Sequence, residues 1–171
     1  MTPETPSLTE NTEIRFMIVL RGIVIRDDGK ILMLHRKNDP SKYNPDGWEF
    51  PGGRQILDPK NGYIETTDGA FEREVFDETG LDVLTISRLE ITIFDFKREG
   101  KFKNTAYYEK VRITRLNGGE IFLDQEDHDD ARWVTPKKAL KTLSLTREVR
   151  MALAKFGPEL NRFRRPGKKK R

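Results

Sequence analysis

The sequence predicts an α/β domain in which helices pack on a mixed β-sheet. Two features favour this class: strand-like and helix-like segments alternate irregularly, and several strands are joined by tight turns rather than by helices. The length of 171 residues, of which 35% are hydrophobic, is enough for one domain with a sizeable core. We therefore expect a single layered domain.

The first strands are predicted to form a hairpin. Residues 14–26 are rich in Ile, Val, Phe and Met and predict a strand, and residues 31–36 predict its partner. Gly29 lies in the turn between them, where it can adopt a positive φ. Residues 48–50 predict a short strand, whereas Pro, Asn and Gly within residues 54–64 predict irregular structure.

A helix is predicted in the middle of the chain. Thr66 or Thr67 can cap its N-terminus, and the helix should run to about Thr79. Gly80 ends it, and Leu81 can fold back as the apolar contact that follows a glycine cap.

The remaining elements complete the sheet and its covering layer. Residues 85–96 and 102–114 predict two strands joined by a turn, and residues 131–134 predict a short strand. Residues 136–143 and 145–156 predict helices, and Leu145, Val149, Met151 and Leu153 supply the apolar surface of the second.

Charge is distributed unevenly along the chain. The net charge is +4, yet the last eleven residues carry seven Lys or Arg and no acid. Without them the chain has 25 basic and 28 acidic residues, a net charge of −3. Residues 157–171 therefore predict a solvated basic tail, with transient contact to nucleic acid or an anionic surface as the alternative.

Composition excludes several classes of protein. The chain has no cysteine, which excludes disulfides, thiolate metal sites and a cysteine nucleophile. No segment approaches the roughly 18 apolar residues of a membrane span. Residues 1–13 are rich in Thr, Glu and Pro and predict a flexible N-terminus without a secretory signal. We expect a cytoplasmic protein.

Three carboxylates share one face of the predicted central helix. At about 100° per residue, Glu74, Asp77 and Glu78 fall within an arc of about 100°. Such like charges repel one another and lower helix stability unless something offsets them. A hard cation such as Mg²⁺, which prefers oxygen ligands, would offset them. A solvent-facing acidic stripe neutralised by nearby lysines is the alternative.

The surroundings of these acids resemble the Nudix box, the signature of a hydrolase family. The signature runs glycine, five residues, glutamate, seven residues, then Arg-Glu-aliphatic, Glu-Glu and Gly-aliphatic. The matching residues are Gly53, Glu65, Arg73, Glu74, Val75, Asp77, Glu78, Gly80 and Leu81. The stretches at 48–53 and 132–136 are also similar to the family, so the resemblance spans residues 14–156. It implies a Nudix-like α/β/α sandwich with a mixed β-sheet and a central catalytic helix.

Two departures from the signature stand out. Residues 54–64, eleven in number, separate Gly53 from Glu65 where the family has five. A six-residue insertion in a surface loop costs little closure entropy, but it can reshape the mouth of a site. Asp77 stands where the family has the first Glu of its pair, which keeps the charge and shortens the side chain by one methylene.

The resemblance implies a metal-dependent mechanism. Glu78 would be a metal ligand, Glu74 a ligand or the base that activates water, and Asp77 a further ligand, together with the carbonyl of Gly53. These groups would hold one to three Mg²⁺ or Mn²⁺ ions while water attacks a phosphorus atom of a diphosphate.

Other residues receive supporting roles. Arg73 and Glu65 would orient the loop and the helix. In many relatives an acid on the loop before the late strand joins the site, and here the candidates are Glu126 and Asp127, with plain solvation as the alternative. His128 follows in the same loop and is expected to be exposed.

The implied activity is hydrolysis of a phosphoanhydride bond in a nucleoside diphosphate linked to another moiety. Substrates of this class are a (d)NTP, an oxidised nucleotide or a nucleotide sugar. Two alternatives stay open: a non-catalytic nucleotide-binding Nudix module, and an RNA 5′-end pyrophosphohydrolase that uses the basic tail. The related isomerases depend on a catalytic cysteine, which this chain lacks.

Overall fold

A seven-stranded mixed sheet forms the middle layer of the computed structural model, which describes residues 15–40, 45–58, 60–97 and 105–163. Its strands are β1 (Arg15–Ile25), β2 (Ile31–Arg36), β3 (Trp48–Glu49), β4 (Gly52–Arg54), β7 (Asp82–Lys97), β8 (Thr105–Gly118) and β9 (His128–Val134). A separate two-stranded hairpin consists of β5 (Leu57–Asp58) and β6 (Tyr63–Ile64).

The strand order makes the sheet mixed. It runs β3-β2-β1-β8-β7, with β4 paired to β1 and β9 paired to β2. β1 and β8 are parallel along the whole of β1, while β7 and β8 form an antiparallel pair. The predicted mixed sheet is confirmed, and the long β1–β8 pairing places residues that are far apart in sequence side by side.

Helices cover both faces of the sheet. They are α1 (Thr67–Thr79), α2 (Pro136–Thr142) and α3 (Arg147–Leu160), followed by a 3₁₀ turn at Asn161–Phe163. Alternating side chains of β2 show the two faces: Ile31 and Met33 pack with α2 and α3, whereas Leu32 and Leu34 pack with α1. This is the predicted α/β/α sandwich. In the described part of the chain, no helix is long and apolar enough to cross a membrane.

α1 begins and ends where the sequence predicts. The hydroxyl of Thr66 accepts a hydrogen bond from the backbone N–H of Gly69, at 3.1 Å. Gly80 adopts a left-handed conformation with φ of 69°, and its N–H donates to the Phe76 carbonyl. Because both caps are local interactions, they depend on the adjacent sequence alone.

α3 differs from the prediction at both ends. Leu145 pairs with Trp48 as an extended residue instead of starting the helix. The helix continues past residue 156, through Pro158, to Leu160, which is fully buried. Phe163 also packs on the core, so this burial outweighs the helix-breaking tendency of proline. The first residues of the predicted tail are therefore folded, and residues 164–171, like the predicted N-terminal segment, lie outside the described residues.

A second difference concerns residues 54–64, which were expected to be irregular. They contain the β5–β6 hairpin, in which Leu57 pairs with Ile64 and Asp58 with Tyr63. The Asp58 carboxylate accepts hydrogen bonds from the backbone and side chain of Asn61. An aspartate bonded to the following residues stabilises a turn, which closes this hairpin.

A buried charge cluster lies between the sheet and α3. Arg21 of β1 contacts Glu49 of β3 at 3.2 Å and Glu109 of β8 at 3.5 Å. Glu148 of α3 is also buried. Burial raises the pKa of Glu109 to about 7; Arg21 opposes this rise, and Glu148 and Glu49 add to it. Folding therefore makes the Glu109 carboxyl easier to protonate than it is in the unfolded chain.

This shift predicts a pH-dependent stability. A carboxyl whose pKa is raised by folding stabilises the fold at low pH, and this contribution is lost as pH rises through the folded-state value. The free energy of unfolding in urea and EDTA should therefore fall between about pH 5 and pH 8, with Glu78 contributing in the same direction. We expect Glu109→Gln to reduce that fall by about 1 kcal/mol or more. The exposed Glu120→Gln is the control, and identical pH curves for all three proteins would contradict the expectation.

Candidate active site

Residues 50–53, which we call the glycine turn, lead into β4 and lie against the acidic face of α1. Gly52 has a φ of 144°, and a Cβ atom there would lie 1.9 Å from the Leu20 carbonyl oxygen. A Cβ at Gly53 would lie 2.2 Å from Oε2 of Glu74. Only glycine fits at position 52, because its φ is positive and a Cβ would meet the backbone of β1, whereas a side chain at position 53 would displace the Glu74 carboxylate.

Glu78 is joined directly to this turn. Its Oε2 accepts a hydrogen bond from the backbone N–H of Gly52 at 2.7 Å. Burial raises the pKa of Glu78 to about 7; His128, Arg21 and the Gly52 N–H oppose the rise, and Glu49 adds to it. A bound cation would favour the charged carboxylate.

Arg73 holds the other acids of the helix. Its Nε and Nη2 donate to the two oxygens of Glu65 at 2.7 and 2.9 Å, a bidentate pair. Its Nη1 donates to Glu74 at 2.8 Å and lies 3.4 Å from Asp77. The hydrogen bonds from Arg73 lower the pKa of Glu65. The guanidinium therefore offsets the repulsion among carboxylates on the exposed side of the helix.

The same ion pair fixes the ends of the 54–64 segment. Nη2 of Arg73 also donates to the Arg54 carbonyl at 3.0 Å. The carboxylate of Glu65 accepts from the N–H of Ile56 at 3.0 Å, and Gln55 donates to the Glu65 carbonyl. Both ends of the segment are thus tied to α1, beside the box acids.

The donor set fits a hard divalent cation by its chemistry. Glu74 and Glu78 are carboxylates one turn apart, and each lies against the backbone of the glycine turn. Within the described ranges, however, no three His, Asp or Glu side chains already converge as a metal cluster. Glu74 and Asp77 bind Arg73 and would have to exchange that partner for a cation, whereas Glu78 binds Gly52 through Oε2 and could keep that bond while Oε1 approaches a cation.

The acidic loop before β9 docks on the C-terminus of α1. The N–H of Phe122 donates to the Thr79 carbonyl at 2.9 Å, and that of Asp124 donates to the Glu78 carbonyl at 2.8 Å. Glu126 is exposed, and its N–H donates to the Asp124 carboxylate. The loop is therefore close to the helix end, while the roles of Glu126 and Asp127 stay predictions.

His128 is buried, so the expectation of an exposed side chain is wrong. It is 1% exposed, and its Nε2 lies 3.0 Å from Oε1 of Glu49. Arg36 donates to the same oxygen through Nη2 at 2.6 Å and Nε at 3.1 Å. Burial alone would raise the pKa of Glu49, but Arg21, His128 and Arg36 together hold it at about 2. Pairing with the buried Glu49 carboxylate thus accounts for the buried position of His128.

Sequence reasoning missed the buried side chains behind the glycine turn. Arg21 interrupts an otherwise apolar strand, and Glu49 lies between Trp48 and Phe50. A single charge inside an apolar strand is the signal that marks such residues, because burying an unpaired charge is costly. Their partners come from distant parts of the sequence. An isolated charge in an apolar strand therefore predicts which residue is buried, but it does not predict which residues that charge contacts.

This chain is similar to known proteins in sequence and in fold. The model of the NUDIX domain matches residues 17–156. A MutT-like protein of Streptomyces ambofaciens is 26% identical over 146 residues, which cover 84% of this chain and 80% of that protein.

Solved structures share the fold. The MutT protein from Methanosarcina mazei Go1 has a TM-score of 0.64 at 21% identity, over 86% of this chain and 97% of that one. A C. elegans Ap4A hydrolase binary complex has a TM-score of 0.63 at 22% identity, over 85% and 98% of the two chains. Because the family model spans the sheet, the glycine turn and the acidic helix, this chain belongs to the Nudix hydrolase family, whose members act on phosphoanhydrides.

Proposed function

We propose that the protein is a divalent-cation-dependent pyrophosphohydrolase. Its substrate would contain a nucleoside diphosphate linked to another moiety, as in a (d)NTP, an oxidised nucleotide or a nucleotide sugar. The observation that carries the proposal is the meeting of Glu74 and Glu78 with the backbone of the Gly52–Gly53 turn. Phosphoryl chemistry depends on positioning and charge neutralisation, which oxygen ligands on a rigid helix and turn supply.

The chain's own groups have distinct roles in this proposal. Glu78, Glu74, Asp77 and the carbonyl of Gly53 would hold Mg²⁺ or Mn²⁺. The bound cation would neutralise phosphate charge and lower the pKa of water. Either Glu74 or Glu126 would accept the proton of the attacking water at a carboxylate oxygen. Arg73 and Glu65 would keep the helix and the loop in register.

The named relatives support the substrate class. A MutT-like protein and an Ap4A hydrolase share the domain or the fold with this chain. Ap4A is a dinucleotide joined by phosphoanhydride bonds, so the fold of that hydrolase accommodates nucleotides. Which nucleotide this chain prefers would be found by a phosphate-release screen of nucleotides, nucleotide sugars and dinucleotides with Mg²⁺ and with Mn²⁺.

The first test of the proposal is Glu78→Gln, which removes a charged ligand and keeps the size of the side chain. On the best substrate of the screen, kcat should fall by at least ~10²-fold, as expected when a group that stabilises developing charge is lost. Glu72→Gln is the matched control, because Glu72 belongs to the same helix but accepts a hydrogen bond from β7. Turnover of Glu78→Gln close to that of the control would remove Glu78 from the metal site.

We further propose that the β5–β6 hairpin contacts the leaving group. This is the part of the substrate that is released with the distal phosphate when the phosphoanhydride bond is cleaved. Leu57 and Ile64 form a cross-strand pair and are 48% and 67% exposed. Ile56 and Tyr63 are also exposed. Since Arg73 and Glu65 fix the base of the hairpin beside the box acids, this apolar surface lies close to the proposed reaction.

Deletion of residues 57–62 tests this role. It restores the family's spacing and keeps Gly53, Ile56, Glu65 and α1. We expect a higher KM for the preferred substrate and a changed ranking of substrates, with unchanged metal dependence because the ligands remain. A double variant, Leu57→Ser and Ile64→Ser, keeps the length and removes only the apolar pair, so it separates surface chemistry from loop length. Unaltered KM values and ranking in a folded deletion variant would exclude the hairpin from selectivity.

A further inference from the structure

Arg21 is a buried charged side chain that the proposed reaction does not use. Arg21 is 8% exposed and lies within β1 between Leu20 and Gly22, two residues before the core residue Ile23. Removing a guanidinium from water costs several kcal/mol unless hydrogen bonds and opposite charges compensate. The contacts of Arg21 therefore indicate why a cation stands in this strand.

The guanidinium divides its donors between two kinds of partner. Nη1 donates to two backbone carbonyls, those of Phe50 at 3.2 Å and Gly52 at 3.0 Å. Nη2 and Nε face the carboxylates of Glu49 at 3.2 Å and Glu109 at 3.5 Å. The carboxylates neutralise the charge, whereas the carbonyl bonds neutralise nothing and instead fix the backbone.

Those carbonyls flank Pro51 in the turn that meets α1. The third carbonyl of the turn, that of Pro51, accepts from the backbone N–H of Gly22 at 2.9 Å. β1 thus binds all three successive carbonyls from Phe50 to Gly52. With its carbonyls turned toward β1, the turn presents the Gly52 N–H to Glu78 on the other side, at 2.7 Å.

We propose that Arg21 is a positioning residue for the metal site: it fixes the Phe50–Gly52 backbone so that the Gly52 N–H orients Glu78 and Gly53 stays against Glu74. The part of this inference that concerns cation binding and turnover rests on the proposed function. The part that concerns the turn itself rests on the contacts of Arg21 alone.

The geometry at position 21 requires arginine and would not be met by another cationic side chain such as lysine. A planar guanidinium has donors in several fixed directions, and here they reach two carbonyls and two carboxylates at once. The single ammonium of lysine would keep the charge beside Glu49 and Glu109 but could not span the turn as well. Arg21→Lys therefore separates the charge of residue 21 from its hold on the backbone.

Arg36 provides a matched control. Its side chain is 12% exposed, against 10% for Arg21, and it donates to the same Glu49 carboxylate. Within the described residues, the Arg36 side chain donates its hydrogen bonds to Glu49 and not to the Phe50–Gly52 carbonyls. Arg36→Lys thus changes a comparably buried cation without touching the turn.

Three measurements on the full-length chain test the proposal, the first two starting from metal-free protein and the third made with Mn²⁺ present. They are Mn²⁺ affinity from the electron paramagnetic resonance signal of free Mn²⁺, hydrogen exchange of the Gly52 amide by NMR, and kcat and KM on the best substrate. For Arg21→Lys we expect Mn²⁺ affinity and kcat to fall about 10- to 100-fold, the range for residues that orient metal ligands. KM should stay within about threefold, and the Gly52 amide should exchange faster. For Arg36→Lys all of these should stay within about threefold of the wild type.

A second variant keeps the proposal testable should Arg21→Lys fail to fold. Glu49→Gln leaves Arg21 and its two carbonyl bonds in place and removes the charge that both arginines share. We expect it to lower thermal stability while Gly52 protection and Mn²⁺ affinity are retained. A loss of Mn²⁺ affinity in Glu49→Gln, or equal losses in Arg21→Lys and Arg36→Lys, would overturn the proposal by assigning the effect to charge balance.

The outcomes also distinguish this inference from the proposed function. If the wild-type chain hydrolyses none of the screened substrates, the proposed function fails, yet Mn²⁺ affinity and Gly52 exchange still report on Arg21. If the wild type is active and Arg21→Lys matches it in affinity, exchange and kcat, the inference about Arg21 fails and the proposed function stands.

Discussion

The hydrogen bond from the Gly52 N–H to Glu78 joins the two parts of the molecule that form the site. One part is α1, which packs on the sheet through Phe71 and Val75, and the other is the turn between β3 and β4. The bond forms only if the turn approaches β1 closely, which the missing side chain at Gly52 allows. It also forms only if the turn's carbonyls face away from the helix, and contacts from β1 hold them there. The position of the box acids therefore depends on β1 as much as on α1.

Two arginines flank the acidic helix, and they act in different surroundings. Arg73 lies on the exposed side of the helix and binds Glu65 and Glu74. Its side chain is 31% exposed, so water competes for its donors there. Because the Glu65 carboxylate is buried and its pair with Arg73 is bidentate, this ion pair contributes more than an isolated surface pair does. Arg21 is enclosed with Glu49 and Glu109, where losing one partner leaves an uncompensated charge. The helix can thus keep its like charges without a bound cation. For a cation to enter, only the contacts of Arg73 with Glu74 and Asp77 need to open.

Local signals in the sequence were sufficient for some elements and not for others. The limits of α1 follow from a threonine cap and a terminal glycine, so they are predictable from the adjacent residues. The extension of α3 is not, because it depends on the burial of Leu160 against strands far away in the sequence. The burial of His128 likewise depends on Glu49, which lies 79 residues earlier. The box acids are recognisable from a family pattern, but their hydrogen bonds to Arg73 and Gly52 are a property of the folded chain.

The extra length of the 54–64 segment is tolerated because its ends are fixed by the same residues that orient α1. Lengthening a flexible loop from five to eleven residues costs only about 0.7 kcal/mol of closure entropy. Arg73 and Glu65 hold both ends, and the Asp58–Asn61 turn closes the hairpin. The insertion therefore needs no support from the core, and its apolar pair stays exposed instead of being buried. A surface added in this way leaves the ligands of the proposed metal site unchanged, so under the proposed function substrate selection would vary at the hairpin while the chemistry proposed for α1 stays the same.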